Sequence, residues 1–162
     1  MNAYDTAAWG DFANTVGGGA AALAGLLFVG LSMNLADVLA FPALPARAAA
    51  TLGLLVAILV TAIFVASPGQ DHRVLGVEVA VVGIVMTVGA ASAALRQRGG
   101  RRSSRTLYSL LLLGIPAVLL IVAGISLWCE RGGGLYWITA AVAAGFVSST
   151  TNAWVLLVEI KR

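Results

Sequence analysis

Five long apolar stretches, near residues 11–35, 48–67, 74–95, 106–128 and 135–159, run through the chain with short connections between them. Each approaches or exceeds the roughly 20 apolar residues a helix needs to cross a hydrocarbon core about 30 Å thick. The pattern predicts an all-α integral membrane bundle of five transmembrane helices forming a single domain over residues 1–162.

Polar positions inside these stretches are few and unevenly spread. In span one, a repeat alternating three and four residues selects Asp11, Asn14, Gly18, Ala21, Gly25, Phe28 and Ser32 as one seam of small and polar groups. Small residues let helix backbones approach closely in a membrane, so VGGGAAALAG is a packing surface; it lacks the lysine and hydroxyl residue of a phosphate-binding loop. At the far end, FVGLSMNLAD places Asn34 about 200° around the helix from Ser32, and Asp37 within about 60° of Asn34. Polar groups on opposite faces predict that this end is enclosed by protein, because an unpaired amide in hydrocarbon is costly. Asp37 lies near enough to the interface to be solvated, or to meet Arg47 across VLAFPALPAR, where Pro42 and Pro45 prevent a continuous helix.

Span five carries Ala141, Gly145, Ser148, Asn152 and Glu159 on one face, together with the run SSTTN from Ser148 to Asn152. Such a run either bonds to carbonyls one turn back or lines a polar cavity. Span three offers a small strip at Gly83, Thr87 and Ala90, with Glu78 about one turn inside the surface, either solvated or at a cation-attracting mouth. The hydroxyls of span two, Thr51, Thr61 and Ser67, suit bonds to their own helix. Span four has no ionisable group, is flanked by Tyr108 and Trp128, and contains Pro116; it reads as a lipid-facing helix that bends or loosens at the proline.

Composition agrees with this setting. The chain is 60% hydrophobic and only 10% charged, with mean hydropathy +0.96, against about 25% charged residues in soluble domains. The beginning, MNAYDTAAWGD, has no basic residue ahead of the apolar run, so span one is expected to stay in the mature protein rather than serve as a cleaved signal. Cys129 and His72 are each the sole residue of their type, which excludes an intrachain disulfide and argues against a metal site or bis-histidine haem within one copy. No cofactor and no nucleic acid partner is expected. Nine arginines against one lysine point to a GC-rich bacterial genome and hence to the bacterial cytoplasmic membrane.

Charge sets the orientation. With RQRGGRRSSR (96–105) in the cytoplasm, eight basic residues fall inside and only Arg73 and Arg131 outside, as the positive-inside rule requires. The N-terminus is then outside and the C-terminus inside. The arginine cluster reads as a topology signal and a contact for anionic lipids rather than a ligand site.

No nucleophile–base pair, paired cysteines or inverted repeat is present, so enzymatic chemistry is not expected. Five spans make a thin bundle, and the polar strips suggest a homo-oligomeric channel or small carrier for an ion or small solute. Its candidate cavity residues are Asn14, Ser32, Asn34, Ser148, Asn152 and Glu159, with Asp11 and Glu78 at the outer mouth. The alternative is a membrane scaffold or modulator that uses the same strips to dock.

Overall fold

A computed structural model describes residues 3–41, 44–96 and 104–160. Pro42, residues 97–103 and the side chains of Tyr108 and Glu159 lie outside the described residues. A 3-10 turn, Thr6–Trp9, leads into α1 (Gly10–Met33), followed by the short α2 (Leu35–Ala40), α3 (Leu44–Ala66), α4 (His72–Arg96), α5 (Ser104–Cys129) and α6 (Leu135–Ile160). There are no strands among the described residues, and all five long helices fall where the apolar stretches predict them.

Four of these helices, α1, α3, α4 and α5, are long and apolar enough to cross a membrane. The 26-residue α6 is as long as any and carries the SSTTN run in its interior. Two boundaries differ from the sequence reading. Helix α3 begins at Leu44, so Pro45 sits in its first turn, where a missing N–H breaks no intrahelical bond. The apolar connection after α1 is not wholly a turn: Leu35–Ala40 forms α2 after a break at Asn34.

Helices α3, α4, α5 and α6 pack in a closed ring, each on the next, and α1 lies outside that ring against α3. Half of the apolar window of α3 is buried, against 17% of that of α1. Helix α5 has two faces: Pro116, Ala117, Leu120, Ala123 and Leu127 are buried between α4 and α6, while Leu111, Ile115, Val118, Ile125 and Trp128 form an exposed apolar face that agrees with a lipid-facing reading. Absence of ionisable groups suits both faces, because lipid tails and a leucine core are equally apolar.

The tightest pairing, α4 on α5, is made by glycines. A Cβ built on Gly124 would stand 2.5 Å from the Gly76 carbonyl oxygen and 2.7 Å from Ala80 Cβ; one on Gly83 would stand 2.8 Å from the Ala117 carbonyl oxygen. Hydrogen atoms at these positions let the backbones touch, which is the source of van der Waals attraction between helices in lipid. Gly145 of α6 makes a similar close contact, its missing Cβ lying 2.8 Å from Ile58 Cδ1 of α3.

Candidate functional site

The seam read in span one is real as a surface: Asp11, Asn14, Gly18, Ala21, Gly25, Phe28 and Ser32 are all exposed along α1. The opposite face, Trp9, Ala13, Val16, Ala20 and Leu27, is buried. The glycine run is split by this geometry. Gly17 faces Ala62 of α3 and Gly19 faces Phe146 of α6, whereas a Cβ on Gly18 or Gly25 would meet nothing within 4 Å.

Hydroxyls on α1 are satisfied locally. Ser32 Oγ donates to the Phe28 carbonyl at 2.8 Å and Thr15 Oγ1 to the Asp11 carbonyl at 2.9 Å. Asn34 is half-buried at the end of α1 and its Nδ2 donates to the Gly30 carbonyl at 2.9 Å. The neighbouring Leu35, Ala36 and Asp37 are exposed, so the enclosure by protein expected around this end is replaced by a bond within the helix.

The α6 candidates sit elsewhere. Ser148, Ser149 and Asn152 are buried. They share the side of α6 that Gly145 turns toward Leu54 and Ile58 of α3, about one to two turns further along. The buried Ser149 hydroxyl has no hydrogen-bond partner among the described residues. Helix α1 touches α6 only slightly. Between them runs a groove of about 160 Å³ whose lining includes Leu23, Leu26, Leu27, Leu55 and Ser149. The structure thus places Asn14 and Ser32 on the exterior of the ring and Ser148 and Asn152 within it. Glu159 belongs to the last turn of α6, with its side chain outside the described residues.

A second polar assembly closes one end of the bundle, where the sequence placed its outer acidic residues. Here the N-terminal segment, the α3–α4 turn and the α5–α6 loop interlock. Thr6 Oγ1 donates to the Gln70 carbonyl at 3.0 Å, Leu135 N–H to the Ala3 carbonyl at 2.9 Å, and Gly133 N–H to the Tyr4 hydroxyl at 3.2 Å. Trp9 stacks edge-on against Tyr136, with ring centroids 5.0 Å apart. Glu78 accepts a hydrogen bond from Gln70 Nε2. Glu130 receives Arg73 Nη2 at 2.9 Å and lies 3.0 Å from His72 Nε2. These partners are 57 and 58 residues away in the chain, which is why sequence spacing did not reveal them.

The Arg73 guanidinium, then His72, hold the Glu130 carboxyl below the usual carboxylate range. The Arg73 backbone N–H does the same for Asp71, donating to its Oδ1 at 2.7 Å. A carboxyl whose pKa falls on folding contributes stability above its unfolded value and loses it as pH drops through the folded one. Acidification below the usual carboxylate range should therefore loosen the junction of α4 with the 130–134 loop, seen as faster hydrogen exchange there. Glu130→Gln should blunt that acid response; an unchanged response would assign it to other groups.

No group of three or more potential metal-binding side chains occurs among the described residues. No protein-family model matches the chain, and no similar curated protein or solved structure was found. Fold and site alone define its class: an all-helical chain with four helices suited to crossing a membrane.

Proposed function

We propose that the protein is a homo-oligomeric membrane channel or small carrier in which α1 helices from several copies surround a shared pathway. The observation that carries this reading is the exposure of the whole Asp11–Ser32 seam on the one long helix outside the four-helix ring. Small side chains facing a common axis leave room for a narrow hydrated path, with Asp11 and Asn14 at one mouth and Ser32 at the other. Phe28, 64% exposed, forms its apolar constriction. The transported species is a small ion or neutral solute.

In this reading α6 also crosses the membrane, supported by its 26-residue length and its packing beside α3 and α5. Five spans put the 96–105 loop and the C-terminus in the cytoplasm of a bacterial cell. Reporter fusions near residues 70 and 132 should be periplasmic and those at 99–104 cytoplasmic; the inverse pattern would reverse the orientation.

The direct test of function is flux from proteoliposomes containing the purified chain. Asn14→Leu should reduce flux of the permeant species without dissociating the assembly, because it removes a polar group from the mouth. A scaffold is the second reading, favoured by the bonds of Ser32 and Thr15 to their own helix, which leave those hydroxyls without need of water. An assembled protein that passes no ion or small neutral solute would move the assignment to the scaffold.

A further inference from the structure

We infer that a groove between α5 and α6, beside the 130–134 loop, is a binding site for one phospholipid, with its phosphate on Arg131 and an acyl chain along Val122 and Ile125. The groove has a volume of about 390 Å³ and also borders Cys129 and Trp137. Val122 and Ile125 face it from α5, within the apolar part of that helix. The groove surface itself is almost wholly apolar, and the exposed Arg131 is among the residues that border it, so a charged residue adjoins an apolar trough, as the two parts of an amphiphile require.

Arg131 makes no ion pair among the described residues, whereas Arg73 is paired with the Glu130 carboxylate. The exposed guanidinium is therefore available to an external anion, and its planar fork suits two phosphate oxygens. Its backbone is held in place: Arg131 N–H donates to the Ser126 carbonyl at 3.2 Å, and Ser126 Oγ donates to the Arg131 carbonyl while accepting from Gly134 N–H. Gly132 and Gly133 take φ of 86° and 110°, a backbone path that glycine follows without strain. Trp137 Nε1 donates to the Gly132 carbonyl at 2.6 Å, which fixes the indole as one wall.

Depth selects the occupant. Trp128, Tyr136 and Trp137 gather at this end of α5 and α6, and such aromatic belts sit at headgroup level, where lipid phosphates lie. An exposed arginine bordering an apolar groove at that end suits a phosphodiester above an acyl chain.

Cys129, exposed and the only cysteine, supplies the readout. The full chain, stripped of lipid in detergent, is alkylated with N-ethylmaleimide in the presence of phosphatidylglycerol, diacylglycerol of the same chains, or inorganic phosphate. Phosphatidylglycerol at about ten times its dissociation constant should slow alkylation about tenfold, and the other two should not. Arg131→Gln should abolish the protection and Arg131→Lys should retain part of it. Equal protection by diacylglycerol would reduce the groove to ordinary lipid contact, and protection by phosphate alone would make it a soluble-anion site. Undiminished protection of Arg131→Gln would remove the assigned role of Arg131. Any of these results overturns the proposal.

Discussion

Gly124→Val should destabilise the folded chain by about 3 kcal/mol, the upper part of the range for overpacking a well-packed interior. Even the first carbon of the new side chain would stand 2.5 Å from the Gly76 carbonyl oxygen and 2.8 Å from Ala80 N. Both obstacles are backbone, so no rotamer change relieves them and α4 has to move away from α5. That movement also opens the contact of Gly83 with Ala117, since both belong to the same pair of helices. Gly114→Ala is the control: nothing lies within 4 Å of its missing Cβ, and the gain in helix propensity is up to about 1 kcal/mol. Chemical unfolding in detergent would compare the two. A neutral Gly124→Val would mean that α4 and α5 are not in backbone contact.

Gly25→Leu should produce the largest functional effect. Gly25 lies near the middle of the exposed seam, with open space where its side chain would be. The substitution is therefore harmless to the fold of one copy. In a ring of α1 helices, however, each copy would add a leucine to the lumen one turn from Phe28, and an apolar constriction stops conduction by dewetting. Flux should fall at least about tenfold with the oligomer retained. If the seam is instead a dry interface of a scaffold, the same leucine keeps backbones apart and the oligomer dissociates. Unaltered flux and assembly would exclude the seam from both roles.

The helices were legible because hydrocarbon thickness dictates their length, and the α1 seam because its repeat follows one helical face. Their arrangement was not. The want of polar groups in span four predicts its exposed apolar face but not the opposite face packed on two neighbours, nor that the polar-seamed α1 is the helix left outside the ring. In lipid, Leu120 gains little more from protein than from acyl chains, so hydrophobicity carries no inward direction. The better guide was Gly76 and Gly83, seven residues apart on α4, meeting Gly124 and Ala117 on α5. Reading them requires knowing which helices are neighbours. The same limit hid Tyr4 beside Gly133 and Arg73 beside Glu130, pairings made by loops converging from distant parts of the chain. For Ser148 and Asn152 their polarity was evident, but not that they lie on the buried, α3-facing side of α6.

That copies of the chain meet along α1 is tested most directly by disulfide cross-linking in the native membrane, with Cys129→Ser as background and single cysteines placed along α1. Gly18→Cys, Ala21→Cys and Gly25→Cys should form covalent dimers on mild oxidation, while Ala20→Cys on the buried face should not. Absence of dimers at all three seam positions, with the protein folded and its thiols accessible, would contradict assembly through α1.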